Sequence, residues 1–437
     1  MKHEYSADES LPDDRFGAVA IRFIRLPIAI VAIALASCVI SPNGLNTPSG
    51  EGTMPTAPAQ TPDSQRSVPD GNLKWETWKT SISQVPIPKA GCFDASPPDP
   101  QWREVPCATE RPQPRMANQS RGAGRVLRRR SVVAQSTAHI HLATGSFDSV
   151  SNATQVVSNF PNVTNPLNGG GSDEFSLQLN TNDFGITSPS LCLGTGPPVC
   201  AGLVHFQYWN DGSSGNFNSL VIEYWLPYAP SCPWGWQLQP GGCLQSVARS
   251  NIPNQTIADL ASLSLRAGPD AHGNDGVMLI TTNGAYAFAN PSVFDLTTAW
   301  TEAEFNVFGF CCSLEAYFNT GSTLVVRVDI QDGASSPPSC QINTTTTETN
   351  NLTSVGCCSI GHSYGGGAIV FTESNATPPP LSACACPMGS SWNPTSGNCE
   401  CGLPGMVIIN GQCSPPLNAC GKPVGTPCCI GESCLHQ

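Results

Sequence analysis

Basic residues are scarce in this chain. It holds 20 Lys and Arg against 32 Asp and Glu, a net charge of −12 over 437 residues. So acidic a surface is a poor match for nucleic acid, which is excluded as a partner. Charge of either sign is thin, at 12% of residues. No amphipathic helical period runs through residues 131–377, so a mainly helical protein is excluded as well. Long apolar runs are also missing. The stretch Leu26–Ile40 has about 15 residues, short of the roughly 20 that a membrane-spanning helix needs. What the chain has instead is 41 Gly, 40 Pro and 21 Cys, with many Thr, Ser and Asn. That is the composition of a secreted β-rich protein.

One cysteine stands apart. Arg15, Arg22 and Arg25 precede the apolar stretch, which closes at Leu35-Ala36-Ser37-Cys38. Positive charge before a short apolar run reads as a signal peptide. The closing tetrapeptide resembles a bacterial lipoprotein signal, which implies lipidation of Cys38 and a membrane partner reached through that N-terminal anchor. The expected location is secreted or at the cell envelope. The other 20 cysteines lie between Cys92 and Cys434, an even number that suits disulfides in an oxidising compartment.

Composition divides the chain further. Residues 1–38 read as the signal, and 39–80, rich in Pro, Ser and Thr, as a disordered linker. Residues 81–130 hold Cys92 and Cys107, expected to bond to each other, and a basic linker ending in Arg128-Arg129-Arg130. From 131 to 377 short alternating runs predict strands at 174–179, 203–209, 220–226, 260–265, 276–281, 285–289, 302–310, 314–318, 323–330 and 368–373. Asn283-Gly284 between two of them is a hairpin signal. Around ten such strands fit one antiparallel, all-β sandwich. Residues 378–437 carry nine cysteines and read as a small cysteine-rich C-terminal module. Eleven cysteines remain in 92–358. Two odd numbers imply at least one bridge between body and tail if all 20 pair.

Residues two apart in a strand share a face. Val204, Phe206 and Tyr208 form one apolar face, and His205, Gln207 and Trp209 oppose it. Ile222, Tyr224 and Leu226 are opposed by Glu223 and Trp225. Phe305 and Val307 are opposed by Glu304, Asn306 and Phe308. Three strands therefore repeat one design, an apolar face for the core and a face mixing carboxylate, amide and aromatic ring. Exposed tryptophan is usually functional. His205, Trp209, Glu223, Trp225 and Asn306 are thus expected to bind an extended extracellular polymer, carbohydrate or protein, on a concave sheet face.

Other motifs are weaker. Gly361-His362-Ser363-Tyr364-Gly365 matches a nucleophile elbow, but a strand pattern follows it where an elbow needs a helix, so a glycine-rich turn is expected. His139 and His141 share a strand face without a third ligand. Asp270, Asn274 and Asp275 are spaced as in an Asp-Gly turn. No metal or cofactor is assigned.

Three of these segments also resemble the glutamic peptidases, or eqolisins. Val204-His205-Phe206-Gln207-Tyr208 is similar to the strand that carries their catalytic glutamine. Ile222-Glu223-Tyr224-Trp225-Leu226-Pro227-Tyr228 is similar to their aromatic Tyr-Glu-Trp-Tyr-Pro stretch. Ala303-Glu304-Phe305-Asn306-Val307 is similar to the strand holding their catalytic glutamate. The resemblance covers about residues 170–310. It departs at Phe305, where the family has tryptophan, and at Asn306, where it has an aliphatic residue. It implies a concanavalin-like, jelly-roll type sandwich and an acid endopeptidase using Gln207 and Glu304, as the alternative to polymer binding. Taken whole, residues 82–375 resemble a family of uncharacterised secreted microbial β-sandwich proteins, which implies no activity.

Overall fold

In a computed structural model, the described residues are 70–108 and 131–380, except 162–166, 168–170, 193–198, 213–216, 230, 240, 311–313, 344–348 and 362–365. Beyond 380 they are 390–393, 398–401, 406–409, 412–414, 428–430 and 433–435. Cys38, the expected signal stretch, Arg128–Arg130, Cys311, Cys312, His362–Gly365 and three of the C-terminal cysteines, Cys384, Cys386 and Cys420, lie outside them.

The chain opens with helix α1 (Asp70–Gln84) and strands β1 (Gly91–Ser96) and β2 (Asp99–Val105). There follow β3 (Ser131–Gln135), β4 (Leu142–Ser151), β5 (Val156–Asn159), β6 (Glu174–Thr181) and β7 (Phe184–Ile186). Next come β8 (Cys200–Asp211), β9 (Ser219–Pro227), β10 (Gln237–Gln239), β11 (Gly242–Ser250) and β12 (Ser264–Pro269). Then follow β13 (Asn274–Ile280), β14 (Ala285–Pro291), β15 (Glu302–Phe308), β16 (Glu315–Phe318) and β17 (Thr323–Gln331). The last four are β18 (Ser339–Asn343), β19 (Thr349–Asn350), β20 (Thr353–Gly361) and β21 (Gly367–Ser374). One sheet runs β2-β1-β14-β13-β12-β4-β17-β21-β20 and the other β10-β11-β9-β8-β6-β15-β3-β18, with β7 paired to β8. Every pairing within these two sheets is antiparallel. The protein is an all-β sandwich.

The core lies between the two sheets. Phe206, Tyr208, Leu177, Ile222, Phe305 and Val307 of the second sheet meet Leu265, Val277, Leu279, Val326 and Phe371 of the first, all buried. Packing is close enough to dictate a glycine. A Cβ on Gly145 of β4 would stand 1.9 Å from Cγ of Phe305, so no larger residue fits beneath that ring. The predicted hairpin is present, with Ile280 opposite Ala285 and Thr281 N–H bonded to the Gly284 carbonyl at 2.9 Å.

Three expectations are corrected. Helix α1 occupies residues read as linker. Its Trp78 and Ile82 are buried on the outer face of the first sheet against Phe93, Met278, Ile280 and Ala287. Covered on both sides, β13 is buried along its whole length. Second, β1 and β2 extend this sheet through β14, so the Cys92–Cys107 segment, whose disulfide is formed, is part of the sandwich. Third, residues 257–262 form a 3-10 turn before β12, because the Asp259 carboxylate accepts from the Thr256 N–H at 3.0 Å and nucleates a turn. The run 361–365 joins two antiparallel strands, with Gly361 opposite Gly367, which excludes a strand–elbow–helix.

Disulfides also join Cys192 to Cys200, Cys232 to Cys243 and Cys340 to Cys357. Cys358 is also disulfide-bonded. The described backbone beyond residue 380 forms three two-stranded hairpins.

Candidate functional site

Strand register sets the site. On the face of the second sheet turned away from the core, side chains line up in cross-strand rows. One row is Glu223, His205, Asn180 and Glu304, on β9, β8, β6 and β15. The next is Val221, Gln207, Gln178 and Asn306, and the third Ser219, Trp209, Ser176 and Phe308. Glu304 and Gln207 therefore sit diagonally across β6. Their Cα positions are about 12 Å apart by standard strand spacing, within joint reach of two long side chains and a bound group.

The outer face of an antiparallel sheet normally meets water. Here it does not. Glu304 and Gln207 are each 2% exposed, Asn180 and Gln178 0%, and Glu223 7%. A hydrogen-bonded cluster takes the place of water. Asn180 Nδ2 donates to Glu304 Oε2 at 3.0 Å. Gln207 Nε2 donates to Glu223 Oε2 at 3.0 Å, and Trp225 Nε1 donates to the same oxygen at 3.1 Å. Trp209 Nε1 donates to Gln207 Oε1, which fixes the amide orientation. His205 Nδ1 stands 3.8 Å from Glu223 Oε2. Asp183, in the turn after β6, interacts electrostatically with His205; burial raises its carboxyl above the ordinary range, and His205 partly opposes the rise. Asn180 Oδ1 is buried and has no hydrogen-bond partner among the described residues.

The structure thus brings His205, Gln207, Trp209, Glu223 and Trp225 into one cluster, with Glu304 across β6. Two placements differ from expectation. The Trp209 ring is 3% exposed and lies 5.8 Å from the Phe310 ring, so it is not an open stacking surface; only Trp225 of the pair stays partly exposed. Asn306 donates to Glu373 Oε2 of β21 at 2.9 Å and is engaged with the other sheet. Asn180 and Gln178 were not anticipated. Gln178 follows from alternation in β6, and Asn180 lies one residue past the predicted strand end. The fully exposed Trp234, in the loop closed by Cys232–Cys243, and the mostly exposed Tyr228 just before that loop carry no periodic signal.

Elsewhere, His139 and His141 are exposed on either side of buried Ile140. Asp270 accepts from the His272 and Asn274 N–H groups and from Asn274 Nδ2, closing on its own turn. Among the described residues no group of three His, Cys, Asp or Glu is placed to hold a metal.

No protein-family model matches the chain, and no curated protein matches it. Solved structures that it resembles include scytalido-glutamic peptidase with a transition-state analogue, at 12% identity, 55% of this chain, 95% of that chain and a TM-score of 0.25. The same peptidase with a peptide-based analogue gives 12% identity, the same coverage and a TM-score of 0.23. SCP-B, an eqolisin bound to the tripeptide Ala-Ile-His, gives 11%, the same coverage and 0.23.

Proposed function

We propose that the outer face of the second sheet is a hydrolytic cleft for extended polypeptide, with Glu304 as general base and Gln207 as oxyanion donor. One observation carries this reading. Carboxylates and amides are kept out of water on the face turned away from the core between the sheets. Burying such groups costs several kcal/mol unless they are paired. Sequestered, oriented ionisable groups of this kind are what acid–base chemistry uses. Asn180 Oδ1 beside Glu304, without a donor among the described residues, supports the same view, since a buried acceptor without a donor costs about 1–3 kcal/mol. The three-strand resemblance to glutamic peptidases agrees with it.

The chemistry follows from the groups. Glu304, held by Asn180, takes a proton from water as the water oxygen attacks the scissile carbonyl carbon. Gln207 Nε2 has two protons, and the one not held by Glu223 donates to the developing oxyanion. Glu304 then passes its proton to the leaving amine as the C–N bond breaks. The test is incubation of the wild-type protein with an unfolded polypeptide between about pH 2 and pH 6, with products read by mass spectrometry. Cleavage is expected, and its absence across that range overturns the proposal.

A second reading, polymer binding without turnover, rests on the partly exposed Trp225. It predicts loss of retention on immobilised cell-wall glycan or extracellular protein in Trp225→Ala. Unchanged retention contradicts it.

A further inference from the structure

The opposite side of the molecule holds a cavity of about 270 Å³. It lies on the outer face of the first sheet, beside the end of α1. Its walls include Pro86 and Ile87, Met278 of β13, Gln331 at the end of β17 and His141. Arg266 of β12 also lines it. Leu265 and Ala267 on either side of Arg266 belong to the core, so alternation turns its side chain outward, between Met278 and Thr144.

Two features set this cavity apart. Arg266 is partly buried, yet it forms no hydrogen bond or ion pair among the described residues. Buried Arg249 shows the contrast: it donates to the Phe93 and Ala287 carbonyls and pairs with Asp94. Burial alone lowers the Arg266 guanidinium, to about 10, so it stays cationic at neutral pH. Second, Gly268 and Gly276 face each other across β12 and β13 and contribute no side chain beside it. The acidic group in the lining, Asp270, is committed to its own turn. Asp329 lies two strands from Arg266 in the same row and interacts electrostatically with Arg327. An uncompensated guanidinium in a partly apolar cavity calls for an anion with an apolar body.

We infer that this cavity binds a small organic carboxylate, whose carboxylate takes the Arg266 fork while its apolar body lies against Pro86, Ile87 and Met278. The nearby negative charge of Asp270 favours a singly charged ligand over phosphate.

The test titrates the full chain with isovalerate, isovaleramide and inorganic phosphate, by calorimetry and ligand-observed NMR. Isovalerate is expected to bind saturably with Kd on the order of 1 mM, and the amide and phosphate not to. Arg266→Met, with its circular dichroism unchanged, weakens isovalerate at least about tenfold. Ile87→Glu, which supplies a carboxylate within the chain, abolishes binding with Arg266 retained; it serves alone if Arg266→Met does not fold. No saturable isovalerate binding, equal binding by the amide or by phosphate, or isovalerate binding unchanged in either variant would overturn the inference.

Discussion

Replacing Glu373 with Gln changes how stability depends on pH, and the size follows from where the carboxyl sits. Glu373 is 4% exposed on β21, opposite the core residue Leu324. Asn306 Nδ2 and Asn350 Nδ2 donate to its two oxygens. Desolvation outweighs those donors and pushes the folded-state value up to about 7, from an ordinary glutamate value near 4.5. The folded protein therefore holds this proton more tightly than the unfolded chain. The stabilisation is complete below about pH 4.5 and is lost as pH rises through about 7. A rise of two to three units corresponds to about 3 kcal/mol. Urea unfolding of wild type and Glu373→Gln at pH 4.5 and pH 8 isolates the effect. Other shifted groups, such as Asp275, raised by burial to about 6, are common to both proteins and cancel in the difference. The wild type should lose about 3 kcal/mol more than the variant between the two pH values. Parallel behaviour of the two proteins would refute the argument that this carboxyl is buried and protonated.

Four further outcomes are expected. Gly145→Ala, which drives a methyl group into the Phe305 ring, should cost about 3 kcal/mol by thermal or urea unfolding. Arg249→Met, which strips the Phe93 and Ala287 carbonyls of their shared donor, should also cost about 3 kcal/mol in the same measurement. Gln207→Met should lower kcat for polypeptide cleavage about 100-fold with KM little changed, and should cost about 1–3 kcal/mol in urea unfolding because buried Trp209 Nε1 loses its acceptor. Non-reduced peptide mapping should return Cys92–Cys107, Cys192–Cys200, Cys232–Cys243 and Cys340–Cys357, with at least one bridge joining residues 92–358 to the C-terminal nine cysteines.

The parts of the fold that could be read from sequence were those written in short-range alternation. In β8, β9 and β15 a two-residue period separates Phe206, Ile222 and Phe305 from Gln207, Glu223 and Glu304, and the structure keeps that division. Asn283-Gly284 announced its own hairpin. What escaped depends on tertiary neighbours. The α1 helix has three apolar positions at helical spacing, Trp75, Trp78 and Ile82, but they lie in Ser- and Thr-rich sequence, and the helix gains its burial from a sheet formed far along the chain. Trp209 looked like an exposed ring because alternation places it outward; its burial comes from Phe310 and the cluster around it. Asn180 was missed because β6 runs past Leu179, where the apolar pattern stops. Glu373 lies next to the end of a strand of core residues, and its partners Asn306 and Asn350 come from elsewhere in the chain.

The central claim is that the sequestered carboxylate of Glu304 does chemistry on a polypeptide. The most direct measurement compares the initial cleavage rates of wild type and Glu304→Gln on one unfolded polypeptide at acid pH, with urea midpoints taken on the same samples. Cleavage by the wild type and none above background by an equally stable variant is the predicted result. Equal rates for the two proteins, with Glu304→Gln as stable as the wild type, would contradict it.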